Sequence, residues 1–160
     1  MKSNVFWATA RRVLCLLSLL ALAQRLPAQQ NKISIAPSDP LMVKRGEPAK
    51  QVLKAVILAG FHVNSDKPKD EFLIPLKLTW NAGPLETKAI SYPKPEEMEL
   101  NGQQMVVYTG TVPIETEFVV AKDAPKGAAT VTGKLKYQAC NSQMCFRPVT
   151  LDVHFAVVIE

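Results

Sequence analysis

The chain has 160 residues, 48% of them apolar and 21% charged, with a formal charge of +5. Four of its 19 basic residues (Lys2, Arg11, Arg12, Arg25) and none of its 14 acidic ones fall in residues 1–28, so the other 132 residues carry 15 basic against 14 acidic groups. A near-neutral body without clustered Lys or Arg excludes an electrostatic nucleic-acid surface, and its length suits one domain, residues 29–160, with its own core.

Residues 1–28 read as an export signal. Lys2, Arg11 and Arg12 precede an uncharged apolar run over residues 13–23. That run is about half of the roughly 20 residues a membrane-spanning helix needs, so no transmembrane segment is expected in the mature chain. Ala21-Leu22-Ala23 and Leu26-Pro27-Ala28 both offer small-residue cleavage sites. The expected location is the periplasm or the exterior. Cys15 lies in the apolar run and leaves with it; Arg12-Val13-Leu14 lacks the small residue expected before a lipidated cysteine.

Beyond the signal, apolar residues recur with period two and no helical period is found, which predicts an all-β chain. Residues 51–58 read as a mostly buried strand. Leu76, Leu78 and Trp80 alternate with Lys77 and Thr79, and Val106, Tyr108, Val112 and Ile114 fall in a β-branched run. Over residues 129–137, Ala129, Val131, Leu135 and Tyr137 point to one face and Thr130, Thr132, Lys134 and Lys136 to the other. In the closing strand Val149, Leu151, Val153, Phe155 and Val157 alternate with Thr150, Asp152 and His154. Turn-formers separate these runs: Asn64-Ser65-Asp66, Asn81-Ala82-Gly83-Pro84, Asn101-Gly102 and Ala124-Pro125-Lys126-Gly127. Short strands so punctuated predict a β-sandwich with Trp80 and Tyr137 in its core.

Cys140 and Cys145 are the two thiols of the mature chain, and they lie between the two strands of clearest alternation. A hairpin tip there brings the pair within disulfide reach, a Cα separation of roughly 4.4–6.8 Å. A loop of about six residues yields only ~2 kcal/mol of stabilisation, against ~4 kcal/mol for a loop of about 60, so the bridge is a poor staple. A bridge at an exposed tip is open to a partner's thiolate. Continued alternation places Cys140 on the solvent side with Lys134, Lys136 and Gln138. A structural bridge is the bland alternative. Cys140, Met144 and Cys145 are soft ligands of the kind Cu(I) takes, but His62 and His154 are distant in sequence and no second ligand pair accompanies the cysteines. No metal and no cofactor is assigned. His154 reads as a solvated side chain, Glu96, Glu97 and Glu99 as a solvated loop, and no hydrolase triad or phosphate-binding loop stands out.

The stretch Tyr137-Gln138-Ala139-Cys140, followed by Cys145 and Pro148, resembles the N-terminal periplasmic domain of the thiol-disulfide interchange protein DsbD. Gly60-Phe61-His62-Val63-Asn64-Ser65-Asp66-Lys67-Pro68, Phe72-Leu73-Ile74-Pro75 and Tyr108-Thr109-Gly110 extend the similarity over most of residues 45–158. The resemblance implies an immunoglobulin-like β-sandwich that relays electrons by exchanging Cys140 and Cys145 with thioredoxin-like redox proteins. It favours Cys145 as the partner-facing sulfur and Cys140 as the resolver. A cap over the pair matches residues 92–104, with Glu97, Met98, Glu99 and Leu100 as its candidates, and His62 and Asn64 match strand positions that flank the cysteine hairpin. Full-length relatives continue into a membrane-embedded electron conduit and a thioredoxin-like domain; this sequence ends at Glu160, so its partners are expected in trans. Where relatives often carry consecutive prolines, Arg147 puts a cation near Cys145, a candidate for lowering that thiol's pKa. The competing reading is a non-catalytic immunoglobulin-like binding domain whose small bridge stiffens a loop.

Overall fold

The computed structural model describes residues 31–100 and 102–160. The expected export signal, its cleavage sites and Cys15 lie outside the described residues, as does Asn101. The strands are β1 (Ile33–Ile35), β2 (Leu41–Val43), β3 (Pro48–Ile57), β4 (His62–Asn64), β5 (Lys77–Trp80), β6 (Leu85–Ser91), β7 (Glu96–Leu100), β8 (Gln103–Tyr108), β9 (Thr111–Val120), β10 (Gly127–Tyr137), β11 (Ala139–Cys140) and β12 (Val149–Ile159). The described chain is an all-β, immunoglobulin-like sandwich with a third, smaller sheet added. One layer runs β1-β3-β9-β6 and the other β2-β12-β10-β5; the third sheet runs β11-β4-β8-β7.

The period-two pattern produces the layers directly. In β10, Val131, Leu135 and Tyr137 are buried while Thr130, Thr132, Lys134 and Lys136 are exposed. Its antiparallel ladder with β12 runs unbroken from Gly127↔Ile159 to Tyr137↔Val149. In β12, Val153, Phe155 and Val157 face inward and His154 outward. Residues 51–58 differ from the expectation of a mostly buried strand. They alternate, with Gln51, Leu53, Ala55 and Ile57 inside and Val52, Lys54 and Leu58 exposed, because β3 has solvent on its outer face.

The layers are joined by an aromatic cluster. Trp80 of β5 meets Phe155 edge-on at 5.2 Å and Phe118 of β9 at 5.9 Å, and Phe118 lies 5.8 Å from Phe155. Burying side chains of this size stabilises by roughly 1.5–3 kcal/mol each. The indole Nε1 donates to Thr116 Oγ1 at 3.0 Å, which satisfies a polar pair inside the core. Gly133 on β10 is required by the same cluster, since a Cβ there would come within 2.6 Å of both the Trp80 ring and the Thr79 carbonyl.

The third sheet forms where three strands leave the sandwich at one end. The chain passes from Ile57 of β3 into β4, from β8 through Gly110 (φ 59°) into β9, and from Tyr137 of β10 into β11. Ile57 N donates to the Gly110 carbonyl at 2.7 Å, and Lys32 N donates to the buried Tyr137 hydroxyl at 3.1 Å, which ties those exits together. Asn64 belongs to β4 rather than to a turn. It is fully buried, and the bend begins at Asp66, two residues later.

Candidate functional site

The cysteine pair sits on the excursion between β10 and β12. After Tyr137 the chain breaks its ladder at Gln138, and Ala139–Cys140 pairs with β4 instead, Ala139 opposite Val63 and Cys140 opposite His62. The return is built by Asn141. Its Oδ1 accepts from Gln143 N at 2.9 Å and Met144 N at 2.8 Å, and its own N–H donates to the Met144 carbonyl at 3.0 Å. This is the local side-chain turn that Asn forms readily. Phe146 N then donates to the Ala139 carbonyl at 2.8 Å, and Gln138 Nε2 donates to the Phe146 carbonyl at 3.1 Å. Cys140 and Cys145 are left directly opposed in an antiparallel bridge and joined by a disulfide. Their Cα atoms are 4.0 Å apart, just below the lower end, about 4.4 Å, of the range expected from sequence.

The two sulfurs occupy different environments, and the sequence expectation for Cys140 is overturned. Cys140 is 1% exposed, whereas Cys145 is exposed, as are its neighbours Met144 and Arg147. The alternation that placed Cys140 with Lys134 and Lys136 stops at Tyr137. Gln138 leaves the ladder, and β11 joins a different sheet, in which Ala139 and Cys140 are both buried although they point to opposite faces.

The cap candidates form a hairpin. β7 and β8 pair from Glu96↔Val107 to Leu100↔Gln103 and turn through Gly102 (φ 79°). Alternation divides their side chains. Met98 and Leu100 are half-buried and line a cleft of about 460 Å³ with Leu58, Phe61, His62 and Ser142 of the cysteine turn. Glu97 and Glu99 point to the other face, where Glu97 meets Lys69 at 3.4 Å and Glu99 accepts from Gln104 at 3.3 Å. The structure therefore brings Met98, Leu100 and His62 to one cleft beside the cysteine turn, and Glu97 and Glu99 not. Asn64 is fully buried and donates from Nδ2 to the Ile74 carbonyl at 3.0 Å. It holds the loop between β4 and β5. Its neighbour Asp66 is held by the Tyr108 hydroxyl at 2.7 Å, and burial pushes the Tyr108 phenol upward, away from ionisation.

Sequence reasoning missed an aromatic brace on the cysteine turn. Phe146, next to Cys145, lies 5.7 Å from Phe61, next to His62. The Lys32 ammonium sits over both rings, at 4.7 Å from Phe61 and 5.7 Å from Phe146. Such a cation over aromatic faces contributes about 0.5–1 kcal/mol at a partly exposed site. No local periodicity links residues this far apart. The other missed element, Asn141, carries a readable signal in its turn preference.

His62 is 5% exposed, and its Nε2 has no hydrogen-bond partner among the described residues. Burial, which penalises the charged ring, lowers its pKa from the ordinary histidine value. His154 is exposed on β12. Among the described residues no cluster of three or more His, Cys, Asp or Glu side chains stands ready to hold a metal ion, and no helix is long and apolar enough to cross a membrane.

Two β-layers closed over an aromatic core, with a disulfide displaced from them on a turn that exposes Cys145 and buries Cys140, define an immunoglobulin-like domain bearing a half-exposed cysteine pair. The family model for the N-terminal domain of the thiol:disulfide interchange protein DsbD matches residues 34–156. The chain belongs to that family. Among solved structures it is similar to the reduced DsbD N-terminal domain of Neisseria meningitidis, with 17% identity and a TM-score of 0.45 over 65% of this chain and 74% of that one. It is also similar to the N-terminal periplasmic domain of ScsB from Proteus mirabilis, with 16% identity and a TM-score of 0.46 over 69% of this chain and 42% of that one. A type I cohesin of Pseudobacteroides cellulosolvens matches at 11% identity and a TM-score of 0.45, over 80% of this chain and 90% of that one. No curated protein matches the chain.

Proposed function

We propose that this protein is a periplasmic thiol-disulfide exchange module, exported by residues 1–28 and relaying electrons through Cys140 and Cys145 to or from thioredoxin-like redox proteins or a membrane electron conduit. The observation that carries the reading is the asymmetry of the bridge, with Cys145 exposed and Cys140 buried. A partner thiolate attacks Cys145 Sγ, the S–S bond breaks, and Cys140 leaves with the electron pair and takes up a proton. The partner's second thiolate then attacks the mixed disulfide. Cys145 leaves in turn as a thiol, and the partner is left oxidised. Two electrons have moved, and the reverse reaction uses the same groups. Met98 and Leu100 supply an apolar cap over the flank of the turn. Arg147, exposed two residues beyond Cys145, supplies a cation that favours its thiolate.

Trapping tests the reading. The Cys140→Ser protein, incubated with a thioredoxin-like domain whose second cysteine is serine and whose first is activated as a mixed disulfide with a small aromatic thiol, is expected to accumulate a disulfide-linked adduct through Cys145, releasing the aromatic thiol. The Cys145→Ser protein is expected to form little of it. No adduct with either variant would contradict exchange.

A further inference from the structure

His62 stands directly across the β4–β11 ladder from Cys140. Opposed residues leave a sheet on the same face, with Cβ atoms about 4.5–5.5 Å apart. His62 is buried, yet its Nε2 bonds to none of the described residues. A buried polar atom without a partner costs about 1–3 kcal/mol, so a fold that keeps one beside its disulfide retains it at a loss unless a partner arrives in another state. While the bridge is closed, Cys140 Sγ carries no proton and no charge. Once the bridge opens, that sulfur becomes a thiolate or a thiol, able to accept or donate a hydrogen bond.

We propose that His62 is the proton partner of the Cys140 sulfur, unpaired at Nε2 while the disulfide is closed and hydrogen-bonded to that sulfur once it is open. This deepens the exchange function proposed above and rests on it. When a dithiol partner attacks Cys145, the electron pair of the broken S–S bond goes to Cys140, which is buried and would otherwise have to carry a thiolate in an apolar setting. The imidazole shares the proton that the thiolate must gain, and solvent entering the cleft beside Ser142 restores it. In the reverse direction the same ring takes the Cys140 proton before the sulfur attacks. His62 is thus a positioning and proton-holding residue for the buried half of the pair.

The groups around His62 are few. Cys140 faces it from β11, Ser142 from the cysteine turn, and Met98 and Leu100 from β7. Thr109 lines the same cleft, and its hydroxyl donates to Glu96 Oε1 at 2.9 Å. Lys32 lies over the ring of Phe61. Among the described residues no Asp, Glu, Lys or Arg lines the cleft, so none of them supplies a competing charge there.

The test uses the unmodified protein. It has two histidines, and His154, exposed on β12, is an internal control. NMR titration of both rings is compared between the oxidised protein and the protein reduced with dithiothreitol. The expected result is a displacement of the His62 titration on reduction, upward if the sulfur is held as a thiolate and downward if it donates as a thiol, with His154 unmoved. In parallel, reduction of the His62→Gln protein by dithiothreitol is expected to slow by about a hundredfold near neutral pH, the low end of what a positioned proton donor contributes, and to lose the histidine inflection from its pH profile. A His62 titration identical in both states, with the bridge still readily reduced, overturns this proposal and leaves exchange standing. A bridge that dithiothreitol does not open overturns both.

Discussion

Cys145 is exposed, while Cys140, bonded to it, is 1% exposed and packed opposite His62. One covalent bond therefore spans the boundary between solvent and protein interior. Thiolate attack needs access to a sulfur, and of the two cysteines Cys145 is the exposed one. The Cys140→Ser protein should react with a small aromatic disulfide reagent at the rate of an accessible thiol. The Cys145→Ser protein, left with the buried thiol, should react at least about tenfold more slowly. Equal rates would contradict the assignment of roles.

The bridge closes a very short loop, so its loss should cost the fold little. On the chain-entropy argument a loop of about six residues stabilises by ~2 kcal/mol. Urea denaturation of the oxidised and reduced proteins should show a difference of that order, with both forms folded. A reduced protein that unfolds without urea would make the disulfide a structural necessity.

His62 also makes stability depend on pH. Its folded pKa lies below the ordinary value of 6.5. As pH falls through about 6.5 the unfolded chain takes up the proton first, so the folded state is at full stability above that value and loses stability below it, until the folded ring is itself protonated. Carboxylates add their own slope at lower pH. The informative quantity is therefore the difference in urea midpoint between wild type and His62→Phe, which should change between pH 7 and pH 5 and be constant from pH 7 to pH 8.

Met98 and Leu100 cover one side of the cleft that reaches the cysteine turn. Replacing both with alanine opens that side, and the β7–β8 hairpin lies outside the two main layers. Reduction of the disulfide by glutathione should accelerate several-fold in the double variant, while the urea midpoint moves little. Replacing Glu97 and Glu99, which face the other way, should leave the rate unchanged.

The two main layers were legible because their strands have one wet face. Ala129, Val131, Leu135 and Tyr137 against Thr130, Lys134 and Lys136 determine β10, and Val153, Phe155 and Val157 against His154 determine β12. The third sheet was not legible. Its strands β4 and β11 are three and two residues long and buried throughout, so they show no alternation, and their pairing depends on contacts across most of the chain. The error at Cys140 has this origin, since parity carried forward from Tyr137 assumes a ladder that stops there. The cysteine pair itself was visible from spacing. Its brace of Phe61, Phe146 and Lys32 was not, because it assembles three separate segments.

The central claim, that the Cys140–Cys145 bridge is made to open, is tested most directly by equilibrating the protein in glutathione buffers of graded potential and quantifying its free thiols. A bridge used for exchange should be half reduced at a potential well above about −300 mV, within reach of a thioredoxin-like partner. A bridge that stays oxidised below about −300 mV would behave as a structural disulfide and contradict the account.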